Sequence, residues 1–222
     1  ETALHRMETP VIYFYSGRPE TVQVRASILD GKMTEFYPPV TTRGPVSDEH
    51  RYQVWWEKVR IMGGRVMDSA PSLRMENPES HYHRARATEA SPVQVEAAGS
   101  VHSEKFLFYR GLADFESRVK LTALRGGKFR LVNQTGQAIS AAVVVQVEGK
   151  HLRFARFGPI SGQAELELPT EPAGEEALAA ELRRVLEADG LYPMEAAAMV
   201  ATWKTQWLGE PGTRVLYTIP RS

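Results

Sequence analysis

The sequence predicts a mainly β protein, built as antiparallel sandwich-like sheets, with an αα-hairpin inserted before the last strand. Three observations carry that prediction. Short β-branched and aromatic runs alternate in polarity and are broken by turn residues about every 8–12 positions, as in sandwiches. Two consecutive segments near the C-terminal end switch from a period of two to a helical period. A last alternating run, Thr213–Ile219, then returns to the strand pattern.

The elements follow in chain order. Val11–Tyr15 is apolar and aromatic, with high strand preference. Thr21–Ile28 puts Val22, Val24, Ala26 and Ile28 on one face and Gln23, Arg25 and Ser27 on the other, the mark of a half-buried strand. Gly17, Arg18 and Pro19 supply a turn between these runs, and Asp30-Gly31 is a strong hairpin signal before Lys32–Tyr37. The first forty residues therefore read as an antiparallel meander. Tyr52–Met62 carries Trp55-Trp56 and fits either a strand or a short helix. Residues 63–80, with Gly63-Gly64, Pro71 and Asn77-Pro78, read as a long irregular segment. His81–Glu89 alternates loosely and is expected to be a strand. Val93–Ala97 is a better one. Glu104–Arg110 is the most aromatic stretch and reads as a central buried strand.

From Val119 the β pattern is regular: Val119–Leu124, Lys128–Val132, Ile139–Val147, His151–Phe157 and Ala164–Leu168, with turns at Asn133–Gly136 and Gly149-Lys150. Glu175–Asp189 then places Leu178, Leu182, Val185 and Leu186 on one helical face, and Gly190 is a natural stop. Pro193 suits the first turn of a second helix, reaching about residue 208, with Ala196, Met199, Val200, Trp203 and Trp207 on its apolar face. The expected division is an N-terminal β domain over 1–112 and a sandwich-like domain over 113–222, with helices at about 175–189 and 193–208.

Composition narrows the chemistry. The chain has 222 residues, 27 Lys plus Arg, 27 Asp plus Glu and no Cys. Balanced charge gives no global field for nucleic acid, so no nucleic-acid partner is expected. It also removes a barrier to self-association, though the sequence does not set the oligomeric state. The missing cysteines exclude disulfides, thiolate nucleophiles and thiolate zinc sites. No apolar run approaches the length of a transmembrane helix. Glu1 is not an initiator residue, and Tyr217–Pro220 reads as a strand heading onward, so the chain is expected to be an excerpt or a processed form.

Three segments carry a resemblance. Glu8-Thr-Pro-Val-Ile-Tyr-Phe-Tyr15, followed by the Asp-Gly turn and Thr34-Glu-Phe-Tyr-Pro38, resembles the opening of an uncharacterised bacterial protein family. Glu104-Lys-Phe-Leu-Phe-Tyr-Arg-Gly111 and Gly190-Leu-Tyr-Pro-Met-Glu-Ala-Ala-Ala-Met-Val-Ala-Thr-Trp203 resemble two further motifs of that family. The opening is more distantly similar to uncharacterised proteins that begin "KPVIYLYP". The resemblance implies an exported, periplasmic or extracellular protein, and it brings no catalytic residue and no ligand.

Candidate chemistry is sparse. On a strand, His81 and His83 would project to one face and could share a divalent metal with His102, Glu89 or Glu104; the alternative is a solvated pair beside Arg84 and Arg86. Carboxylate pairs can be drawn among Glu89, Glu104, Asp114 and Glu116, but spacing singles out none. No Gly-x-Ser-x-Gly and no phosphate-loop spacing is present. Arg84, Arg86, Arg110, Arg118 and Arg125 interleave with aromatics, yet nearby glutamates dilute their charge. Trp203 and Trp207 share a helix face and suit core packing. Trp55 and Trp56, with Tyr82, Tyr109 and Arg110, are the candidate ligand-binding set, since adjacent residues on a strand point to opposite faces. No cofactor is expected. The sequence therefore favours a non-catalytic envelope module with a protein or glycan partner, over a hydrolase or metal-dependent enzyme using His81, His83 and a nearby carboxylate.

Overall fold

The computed structural model describes residues 5–6, 11–46, 51–64, 81–113 and 117–219. The chain divides into two compact units, Glu1–Glu116 and Ser117–Ser222. The irregular segment expected at 63–80 lies outside the described residues from position 65 onward.

The first unit holds nine strands and one short helix among its described residues: β1 (His5–Arg6), β2 (Val11–Tyr13), β3 (Glu20–Leu29), β4 (Gly31–Tyr37), β5 (Thr42–Val46), β6 (Arg51–Ile61), α1 (His81–Ala85), β7 (Val93–Ala97), β8 (Ser100–Glu104) and β9 (Phe106–Ala113). All pairings are antiparallel. In one sheet β9 is central: β4 runs along one edge, and β1 and β2 share the other. In the other sheet β6 plays the same part, with β3 on one edge, β5 and β7 on the other, and β8 beyond β7. Val54, Trp56, Val59, Val93, Val95 and Leu107 form the core between them.

The N-terminal meander is not what forms. β3 and β4 follow one another through the Asp30-Gly31 corner but belong to different sheets. β3 alternates as read from the sequence, and Asp30-Gly31 turns the chain, but not into the expected hairpin. The turn, however, carries the chain across the edge of the core rather than back along β3, so that Ile28 and Met33 reach the same core. Gly31 is required there, because a Cβ would lie 2.2 Å from the Leu112 carbonyl oxygen. A second crossing occurs at Lys105, which separates β8 in one sheet from β9 in the other. The stretch Glu104–Arg110 is thus mostly the buried central strand expected, with Phe106, Leu107 and Phe108 at most 1% exposed.

The second unit contains β10 (Val119–Ala123), β11 (Lys128–Asn133), β12 (Ala142–Glu148), β13 (His151–Phe157), β14 (Gln163–Glu167), α2 (Glu175–Ala188), α3 (Pro193–Lys204) and β15 (Gly212–Tyr217). Two three-stranded antiparallel sheets form, ordered β10-β11-β14 and β13-β12-β15. β12 explains the unbroken apolar run read from the sequence. Its Val143, Val145 and Val147 pack with Leu178, Leu182 and Val185 of α2, while Ala142 and Val144 pack with Leu131 and Leu166 of the other sheet. It is a strand buried on both faces. The αα-hairpin before the last strand is as predicted. Glu195 accepts a hydrogen bond from the Tyr192 amide at the start of α3 (2.9 Å), and Asp189 ties the end of α2 to the sheets through Ser140 (2.6 Å) and Thr218. A π-helical turn, Thr205–Gly209, ends α3.

Candidate functional site

The sheet around β9 has two unlike faces. Leu107 and Met33 point to the core. The opposite face gathers Tyr13 and Tyr37, each in ring contact with Phe106, with Phe108, Glu35 and Arg110 beside them. An irregularity in the β4–β9 register between Met33 and Glu35 is what turns Glu35 and Tyr37 outward together.

Helix α1 and the segment after it lie against this outer face. The Tyr13 hydroxyl donates to the Ala85 carbonyl (2.7 Å), and the Ser91 amide donates to the Phe14 carbonyl (2.8 Å). The strongest tie is electrostatic. The Arg86 guanidinium forks onto Glu104, with Nε 3.1 Å from both carboxylate oxygens and Nη2 2.7 Å from Oε2. The Glu104 side chain is 0% exposed and that of Arg86 17%. Glu104 also accepts the Lys105 amide (2.8 Å), and the buried Lys105 ammonium donates to the Thr88 carbonyl (2.7 Å). Burial disfavours the Arg86 charge, but the Glu104 carboxylate more than offsets this and holds the guanidinium above its ordinary pKa.

Above this buried pair sits a half-exposed layer. Tyr82 of α1 stacks on Tyr37, with ring centroids 4.7 Å apart and planes 25° apart, and meets Phe108 edge-on at 5.0 Å. Its hydroxyl donates to Glu35, whose other oxygen lies 3.4 Å from Arg110 Nη1. The Arg110 guanidinium lies over Phe108. Burial raises the pKa of the Tyr82 hydroxyl, and the hydrogen bond to Glu35 raises it further. The Tyr37 hydroxyl, which contacts Arg86 and Glu104, is raised by burial first and by the Glu104 charge second. A phenol held protonated donates hydrogen bonds but takes no proton at neutral pH, so neither tyrosine is placed to act as a general base.

Of the predicted ligand-binding residues, Tyr82 and Arg110 meet here, bridged by Glu35. The others do not join them. Trp56 is corrected to a core residue: it is 0% exposed, and its indole nitrogen donates to the Pro38 carbonyl (3.0 Å). Trp55 points to the other face of its sheet, as adjacent strand residues must, and is half-buried under the Arg25 guanidinium at 4.3 Å. Tyr109 turns to the core side, opposite its neighbour Arg110. The expected strand at His81–Glu89 is instead the helix His81–Ala85. Residues i and i+2 on a helix diverge by about 200°, so the shared face proposed for His81 and His83 is lost. His102 lies on β8, in the other sheet. Among the described residues no three His, Asp or Glu side chains gather as metal ligands. Glu35 and Tyr37 were missed in the sequence because the bulge breaks the alternation that would have set them on Arg110's face.

Comparisons with family models, curated proteins and solved structures give no match to this chain. No helix among the described residues is long and apolar enough to cross a membrane.

Proposed function

We propose that the chain is a non-catalytic binding module of the bacterial cell envelope, and that it takes a glycan on the outer face of the β9 sheet. One observation carries the reading: the stacked Tyr37–Tyr82 rings stand at the surface beside a planar carboxylate–guanidinium pair, Glu35 and Arg110, whose side chains are 30% and 21% exposed. Sugars are held by this combination, an aromatic surface for their C–H faces and planar polar groups for their hydroxyls. The buried Arg86–Glu104 pair fixes the layer from below, so the surface is organised before any ligand arrives. Protonated phenols and cation-bound carboxylates favour binding over catalysis. The envelope location rests on the resemblance of three sequence segments to exported bacterial proteins.

Isothermal titration calorimetry with tetramers of N-acetylglucosamine, glucose and mannose tests the reading. Binding of at least one, in the roughly millimolar to micromolar range usual for shallow sites, is expected, with loss in Tyr82→Ala and Glu35→Ala. No heat with any of the three, or binding unaltered in both variants, removes the glycan reading and leaves a protein partner as the candidate.

A further inference from the structure

The second unit has four sheet edges, and one is unlike the rest. β13 and β14 carry two charged side chains each, Arg153 and Arg156 in one and Glu165 and Glu167 in the other, and β10 carries Lys120. Charges of this kind guard an edge against pairing with another chain. β15 reads Gly-Thr-Arg-Val-Leu-Tyr, with no lysine, no acid and no proline, and its pairing with β12 runs without a bulge. Its one charge is withdrawn from the edge. The Arg214 guanidinium is spent on the carbonyls that end the helical segment, those of Gln206, Trp207, Glu210 and Pro211. Among the described residues β15 pairs with β12 alone.

The side chains of β15 also look unfinished. Val215 and Tyr217 pack towards the core between the sheets and Leu216 towards the helix-side core, yet all three stay half-buried. Just beyond, Ile219 is 79% exposed. An edge strand that is apolar on both faces and only half covered on each lacks a neighbour.

We propose that this neighbour is β15 of a second copy, paired antiparallel about a two-fold axis at Leu216, so that two three-stranded sheets become one of six. The strand is self-complementary in that register. Residues facing each other across an antiparallel pair share a face of the sheet, so the positions that meet must sum to an even number. Centring on Leu216 sets Val215 against Tyr217 of the partner copy on both sides of the axis, an aromatic–β-branched pair of the favourable kind. Arg214 meets Thr218, and Thr213 meets Ile219. No like charges oppose one another, and a net charge of zero adds no long-range repulsion. A two-fold contact of a surface with itself is also the commonest way for a chain to form a closed oligomer.

Thr213 and Ile219 are both exposed, so changing them leaves the folded unit intact. Sedimentation equilibrium of the full chain over a concentration series is expected to show a species of twice 24.8 kDa. The double variant Thr213→Lys, Ile219→Lys brings two lysines face to face at each end of the pairing and should weaken the dimer about tenfold or more. The variant Thr213→Glu, Ile219→Lys places opposite charges at the same positions and should restore association to near the wild-type level. A wild-type chain that stays monomeric throughout overturns the proposal. So does a dimer that both variants leave unchanged, or that both weaken equally, because the contact would then lie elsewhere or in another register.

Discussion

Arg86→Met tests the organisation of the first unit most directly. It removes a guanidinium that makes three contacts of 3.1 Å or less to a carboxylate with no exposed side-chain area. The methionine fills most of the volume, so little of the cost is packing. What remains is Glu104, buried with only the Lys105 amide and the Tyr37 hydroxyl to hold it. Breaking one partner out of a buried pair costs about 3–5 kcal/mol. Replacing both, as Arg86→Met with Glu104→Met, removes the stranded charge and leaves the buried Lys105 amide without its acceptor, while the hydroxyl of half-buried Tyr37 can turn to water, a cost of about 1–3 kcal/mol. The double variant should therefore be about 2 kcal/mol more stable than the single one, the sign of a coupled pair. Urea titration read by hydrogen–deuterium exchange over residues 81–113 isolates the first unit. A single variant within about 1 kcal/mol of wild type, or a double variant worse than the single, would refute the reasoning.

Tyr82→Phe removes only the hydroxyl that donates to Glu35 and should cost about 1–3 kcal/mol in the same assay; no loss would mean that this hydrogen bond contributes nothing. Trp203→Ala empties the site of a ring that is 1% exposed in α3 and should lower stability by about 3–5 kcal/mol, read as melting temperature; an unchanged melting point would contradict a core position. The raised phenols make an alkaline prediction. A folded-state pKa above the unfolded value gives stability that is complete below the unfolded value and is lost as pH climbs through the folded one. Of the eight tyrosines, Tyr37, Tyr82 and Tyr109 are all raised, so phenolate absorbance at 295 nm should still fall short of eight phenolates at about pH 12, where an ordinary tyrosine is almost fully ionised, and finish only as the first unit unfolds. Complete ionisation of all eight in the folded state by that pH would contradict the burial described.

How much was legible in the sequence can be followed residue by residue. Alternation within a strand is a local property, so β11, β13 and the alternation of β3 could be read directly. The helical faces of α2 and α3 and the Gly190–Pro193 break between them could be read in the same way. The strand reading of Tyr52–Met62 needed the partners of β6 to settle it. Once β6 is a strand, the opposite fates of Trp55 and Trp56 follow from the pleat. Two of the five residues in the ligand-binding set, Tyr82 and Arg110, meet at the site and were visible as residue types in an aromatic, basic stretch. Their meeting was not, because it depends on α1 being a helix and on a bulge in β4.

Outside His81–Glu89, Tyr52–Met62 and the Trp56 side chain, the sequence by itself determined which segments extend, which coil into helices and which side chains each turns inward, because those follow from local sterics and from the period of apolar residues. It also excluded thiol chemistry, by containing no cysteine. Only the tertiary structure decided which strands pair. Asp30-Gly31 fits a hairpin and a sheet-to-sheet corner equally well, and the choice went to whichever path buried Ile28 and Met33 in one core. The same is true of the candidate site. Arg86 and Glu104 are eighteen positions apart and Glu35 and Tyr82 forty-seven. Nothing local draws such residues together; the packing of α1 onto the outer face of β9 does.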